Sequence, residues 1–126
     1  MRFKTPNGIP FEIQDDWWVF AEMDGFTRNG GAFYPYAPGS EEVQVVPLVD
    51  IEPPTRALGV PPFKKYKLVP LLLTFSSPEC ALPPVEVCST APSGPYRFKV
   101  FNGYHRYYAS IAVGYTGLPV VVREAV

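Results

Sequence analysis

The segment Val100–Val122, VFNGYHRYYASIAVGYTGLPVVV, holds the residues best suited to chemistry: His105, the chain's single histidine, stands beside Arg106 just after Gly103. An apolar strand-like run leads into Asn102-Gly103, and aromatic and small residues follow. If residues 104–113 are helical, Tyr104, Tyr107, Tyr108, Ile111 and Ala112 share one face at spacings of three and four. Gly114 then falls just past the helix, where a left-handed residue ends it, and LPVVV makes a final strand. In that order the first N–H groups of the helix, Gly103 to Arg106, lack partners and lie at the positive end of its dipole. Glycine lets a phosphate approach the backbone, and His105 and Arg106 add charge-assisted hydrogen bonds at the same place. With an ordinary imidazole pKa, anion binding would strengthen as pH falls through ~6.5. The competing reading is a hairpin, with a type I′ turn at Asn102-Gly103 and YHRYYASI as a strand, because Tyr and Ile favour strands.

The rest of the chain must position that turn. IPFEIQ alternates and predicts a short strand. DDWWVFAEM predicts a short helix with Asp15 or Asp16 as N-cap. Residues 25–40 are rich in Gly, Pro and aromatics, have no period, and read as loop. VQVVPLVDI, from Val43 to Ile51, reads as a strand that Pro47 places at an edge or bulge. In PFKKYKLVPLLLTF the apolar positions Phe63, Tyr66, Val69 or Pro70, and Leu73 approach helical spacing; Pro61 and Pro62 can start that helix and Pro70 would kink it. LPPVEVCS and YRFKVF read as strands. Trp17, Trp18 and Phe20 read as core or a packing lid. Tyr104, Tyr107 and Tyr108 read as packing, though Tyr104 beside the turn could stack on a base.

At 126 residues, with 47% hydrophobic and 18% charged residues, the chain is expected to form one domain with a single core. The longest apolar run, Leu68 to Leu73, falls far short of the ~20 residues that span a bilayer. No leader-like segment opens the sequence, and Cys80 and Cys88 lack CxxC spacing, so a reduced, cytoplasmic setting is expected. One histidine and two distant cysteines offer no zinc site, and no Walker, HExxH or Ser-His-Asp pattern is present. The net charge is −1, but residues 1–54 carry nine acids against three bases (Arg2, Lys4, Arg28), and residues 55–126 carry eight bases against three acids. That asymmetry gives the C-terminal part a positive field suited to phosphate or a short nucleic acid. The alternative is a solvated face whose bases pair with the acidic half.

VVPLVDIEPPTR, LPPVEV and YRFKVFNGYHRYYASIAVGYTGLPVVV, taken in order over about residues 43–123, resemble the fold shared by sulfiredoxin and the N-terminal domain of ParB. The carrying motifs are a Val-Pro-Leu-x-x-Ile-x-Pro opening, a Pro-Pro-Val strand and a Gly-x-His-Arg turn. The resemblance implies an α/β (α+β) domain over 43–126, with a mixed sheet and a Gly-x-His-Arg turn opening a helix, and residues 1–42 as an extension packed on it. It implies a nucleotide-phosphate site using Gly103, Tyr104, His105 and Arg106, a lysine at Lys64 with Lys67 one turn on, and Arg56 near the nucleotide. ATP or CTP is the implied ligand, with Mg²⁺ as its companion.

The departures bear on chemistry. Sulfiredoxin places its nucleophilic cysteine where this chain has Tyr104, so sulfinic-acid reduction is not expected. Related serine kinases carry an acid after the opening strand as general base; here only Asp50 and Glu52 are near, and they are the catalytic or metal candidates. Partition ParB proteins add a helix-turn-helix and a dimerisation domain, for which 126 residues leave no room. The leading expectation is a nucleotide-phosphate-binding protein, with NTPase or phosphotransferase activity as an extension. The alternatives are a DNA-binding or nuclease-like module, which the weak net charge disfavours, and an interaction domain that has lost its ligand.

Overall fold

Short β-branched and aromatic runs alternate with two longer helices, and the computed structural model describes residues 1–27, 31–39 and 41–123. The part of the 25–40 loop at 28–30 and 40, with Arg28, lies outside the described residues. In chain order the elements are β1 (Arg2–Lys4), β2 (Pro10–Glu12), α1 (Asp15–Phe20), β3 (Gln44–Pro47), a 3-10 turn (Leu48–Asp50), β4 (Ile51–Glu52), α2 (Lys65–Phe75), β5 (Val85–Ser89), β6 (Phe98–Asn102), α3 (Tyr104–Ala112) and β7 (Gly117–Arg123).

β1 and β2 form an antiparallel pair, and the other five strands form one sheet in the order β3-β7-β5-β6-β4. That sheet is mixed: β7 runs parallel to β5 and β4 parallel to β6, whereas β3–β7 and β5–β6 are antiparallel. β7, inside the sheet between β3 and β5, is buried from Gly117 to Val121, as expected of a strand covered on both faces. β3 and β4 occupy opposite edges, yet only the 3-10 turn joins them. Across a flat sheet those edges would stand about 19 Å apart, and the chain from Pro47 to Ile51 reaches at most about 14 Å. The sheet therefore curls.

Three expectations are corrected. The continuous strand over Val43–Ile51 is broken after Pro47, which ends an edge strand as a proline should, because a ring without an N–H cannot extend the ladder. Neither Asp15 nor Asp16 caps α1: Gln14 is the N-cap, without a side-chain cap bond, and both aspartates fall in the first turn, where the dipole still favours them. α2 starts at Lys65, past Pro61 and Pro62, behind an extended Lys64. Its buried face is Leu68, Leu72 and Phe75, and Tyr66, expected inside, is 69% exposed. Pro70 lies inside this helix.

α3 follows its expected course. It is a helix, not a hairpin strand, and Gly114 (φ +94°) ends it. Tyr115 N–H bonds Ser110 O at 2.9 Å and Gly114 N–H bonds Ile111 O at 3.1 Å, the paired pattern of a Schellman terminus. The buried set is His105, Tyr107, Tyr108, Ala109 and Ser110, a face shifted from the expected one and including the histidine.

One core joins both ends of the chain: Ile13, Trp18 and Tyr34 pack with Leu68, Leu72, Val85, Tyr107 and Leu118. Phe11 on β2 meets Tyr108 of α3 edge-on at 4.9 Å between ring centres. Each fully buried aliphatic side chain contributes about 1.5–3 kcal/mol, so Leu72→Ala, at a site with no exposure, would cost about 2–5 kcal/mol. This packing holds α2 and α3 side by side and sets the mouth of the cleft described next.

Candidate anion-binding cleft

The end of β6 runs into Gly103, whose backbone turns sharply (φ +130°) so that α3 leaves the sheet at once. A Cβ on Gly103 would stand 2.8 and 2.9 Å from the two methyls of Val85. Glycine is thus required by packing against β5 as well as by its positive φ. It also leaves α3 without a side-chain cap, so the first-turn N–H groups are open to an outside acceptor. These groups border a cleft of about 500 Å³ between the start of α3, the Pro54–Arg56 segment, Lys67 of α2 and Pro83 ahead of β5.

His105 lines this cleft but is only 8% exposed. Its Nε2 accepts the backbone N–H of Lys64 at 3.1 Å, tying the start of α2 to that of α3. With Nε2 an acceptor, the neutral ring carries its proton on Nδ1. Burial, then the positive charges of Arg56, Lys67 and Lys64, lower its pKa from 6.5 to about 4. The expectation of an ordinary imidazole titrating at ~6.5 is corrected: near neutral pH His105 is an uncharged donor.

Arg106 has a structural task too. Its Nη1 donates to the carbonyls of Pro83 at 2.8 Å and Pro84 at 2.9 Å, and the Tyr34 hydroxyl donates to Pro83 O at 2.6 Å. These two carbonyls lie just ahead of β5, outside its ladder, and the guanidinium supplies a donor to both while lining the cleft. Arg56 lies over the Tyr104 ring at 4.0 Å from its centre. Burial pushes the Tyr104 phenol up against the opposing charge of Arg56, which keeps it protonated.

Lys67, not Lys64, is the lysine that lines the cleft; the Lys64 ammonium lies 6.0 Å from the Tyr66 ring. Among the described residues, bases of the C-terminal half do pair with acids elsewhere, as Arg97 with Asp50 at 3.3 Å and Arg123 with Glu41 and Glu86. Arg56, Lys67 and Arg106 take part in none of those pairs.

The two acids held as catalytic or metal candidates are elsewhere. Asp50 is paired with Arg97, and Glu52 borders, with Lys99, an adjoining depression that shares Pro54, Thr55 and Val100 with the cleft. Among the described residues no carboxylate lines the cleft, and no group of three or more His, Cys, Asp and Glu is arranged to hold a metal. The lining does not fit a protein-held Mg²⁺, and no step is assigned to one.

Sequence reasoning missed Asn102, which lines the cleft and donates to Glu86 Oε1 at 3.0 Å. Glu86 in turn accepts from Arg123 at 2.7 Å, and these hydrogen bonds hold its carboxyl below the usual range. The signal available was Asn102 itself, read only as a turn residue. Cys80 and Cys88 are buried and free, and burial raises the Cys80 thiol.

Together these features define a small mixed α+β domain with a curled sheet and a cationic cleft at the start of its last helix. No helix among the described residues is long and apolar enough to cross a membrane. Comparison with protein-family models finds no match, and no curated protein matches the sequence. Among solved structures the chain is similar to a C-terminally truncated chromosome-partitioning protein ParB from Caulobacter crescentus, complexed with CTP-γ-S. The identity is 19%, the TM-score 0.50, and the match covers 68% of this chain and 46% of that one. The likeness is one of fold, and the chain spans less than half of that protein's length.

Proposed function

We propose that the cleft binds the phosphates of a nucleoside triphosphate. The observation that carries this reading is the convergence of Arg56, Lys67 and Arg106 with the uncapped start of α3, in a cleft of about 500 Å³ where no carboxylate is found among the described residues. Three cations lacking acid partners in one concave place leave a positive potential that an anion neutralises. The backbone N–H groups of Gly103 to Arg106 and the neutral His105 ring add donors that cost little reorganisation. The CTP analogue in the similarly folded ParB supports a nucleotide over a simple oxyanion. ATP and CTP are the ligands to try first.

Binding is favoured over NTP hydrolysis or phosphoryl transfer, because Asp50 and Glu52 both lie outside the cleft. A thermal-shift plate with ATP, CTP, GTP and a short DNA duplex, with and without Mg²⁺, tests the reading. A ligand at about 100 times its Kd adds about 2.7 kcal/mol to stability, a readily measured rise. A rise with nucleotides and not with DNA supports the proposal; no rise with any nucleotide contradicts it. A rise with DNA alone would move the function to nucleic acid.

A further inference from the structure

The cleft has a neighbour. A second cavity of about 380 Å³ shares Pro54, Thr55, Arg56 and Tyr104 with it, so the Arg56–Tyr104 stack forms a common wall. Its remaining walls include the rings of Phe11, Phe63 and Tyr108. Phe11 comes from β2, outside residues 43–123 that carry the family resemblance. Leu58 borders this cavity and is fully exposed, an apolar side chain with nothing against it. Among the described residues that line it two are charged, Arg56 on the wall shared with the cationic cleft and Glu12 on β2.

We propose that this second cavity seats the nucleobase of the bound nucleotide, and that Glu12 selects a base with two adjacent N–H donors, guanine above the others. The proposal rests on the phosphate reading of the first cleft and specifies its ligand. Aromatic walls and the free Leu58 suit a flat, partly apolar ring. The charges orient it: phosphates lie toward Arg56, and a hydrogen-bond-donor edge toward Glu12. A carboxylate only accepts, and it can take two parallel donors at once. Guanine offers N1–H and its 2-amino group side by side; adenine and cytosine offer one amino group next to an acceptor nitrogen that a carboxylate repels. Among the described residues Glu12 has one ion pair, with Arg2 at 3.4 Å; both side chains are exposed, so water screens the pair and a ligand's donors can replace it.

Calorimetric titration of inorganic tripolyphosphate, GTP and inosine triphosphate into the full chain, Glu12→Gln and Leu58→Ser tests the proposal. Inosine lacks only the 2-amino group. In the wild type GTP should bind at least tenfold tighter than tripolyphosphate and about fivefold tighter than inosine triphosphate. Glu12→Gln should bring GTP and inosine triphosphate within twofold and leave tripolyphosphate unchanged. Leu58→Ser should weaken GTP about threefold and leave tripolyphosphate unchanged. Both variants alter exposed side chains, so folding is not at issue.

Equal affinity for GTP and inosine triphosphate in the wild type, or a preference that survives Glu12→Gln, would overturn the proposal. So would dimerisation through this face that Leu58→Ser abolishes while GTP affinity stays the same. Failure of tripolyphosphate alone to bind would overturn the phosphate reading, while the base subsite stands or falls on the GTP-to-inosine triphosphate ratio.

Discussion

Acidification from pH 7 to pH 4 should destabilise the protein through His105. The folded imidazole has its pKa lowered from 6.5 to about 4, with burial as the first cause and the charges of Arg56, Lys67 and Lys64 behind it. Above about pH 7 both folded and unfolded chains hold a neutral ring, and stability does not depend on it. Below 6.5 the unfolded chain takes up a proton that the folded chain refuses, so stability falls until about pH 4 and then levels. A drop from 6.5 to about 4 corresponds to about 3.4 kcal/mol, at about 1.4 kcal/mol per pH unit. Because the ring borders an open cleft, water reduces this to about 2–3 kcal/mol. Glu86 loses its own contribution in the acid range as well, its carboxyl being depressed by Arg123 and Asn102, so a control is required. His105→Gln provides it: the amide oxygen can still accept the Lys64 N–H, but nothing titrates. Urea unfolding at pH 7, 6, 5 and 4 should show the wild type losing about 2–3 kcal/mol more than His105→Gln. Parallel pH profiles for the two proteins, or a histidine ring signal in NMR titrating near 6.5, would refute the reasoning. Bound phosphate should raise the midpoint, since an anion favours the imidazolium.

Gly103→Ala should cost about 2–4 kcal/mol in urea unfolding, from overpacking on Val85 and strain at φ +130°. Adding Val85→Ala removes the clash but not the backbone strain, so the pair should be less destabilised than the sum of the singles. Arg106→Ala should lower stability by about 1–3 kcal/mol by leaving the carbonyls of Pro83 and Pro84 without their donor; unchanged stability with lost nucleotide affinity would make Arg106 a ligand contact only. ATP-dependent reduction of a cysteine-sulfinic peptide should be absent, given the protonated phenol of Tyr104 and the buried Cys80; turnover abolished by Cys80→Ser would contradict this.

What could be read from the sequence was what local rules control. Gly103 and Gly114 bracket α3 because each needs a positive φ, and no other residue type takes that role as easily. Pro47 marked an edge for the same kind of reason. The buried face of α2 was not legible, because Tyr66, Leu68, Val69, Leu71, Leu72, Leu73 and Phe75 put apolar side chains nearly all round the helix, and distant packing partners selected Leu68, Leu72 and Phe75. The states of His105 and Arg106 were hidden because their partners are distant in sequence: Lys64 N–H is 41 residues from His105, and Pro83 O is 23 from Arg106. An exposed-looking His-Arg pair is in fact half scaffold. Lys67 replaced Lys64 in the cleft because the helix begins after Lys64 and carries Lys67 onto the cleft side.

The most direct test of the phosphate site is a backbone amide titration by NMR, adding ATP, CTP or GTP to the ¹⁵N-labelled protein. The account predicts that the largest shifts fall on the N–H groups of Gly103, Tyr104, His105 and Arg106, and that they shrink together when Arg56 and Lys67 are both replaced by Ala. Saturable shifts centred on another surface, or no shift at these four amides with millimolar nucleotide, would contradict it.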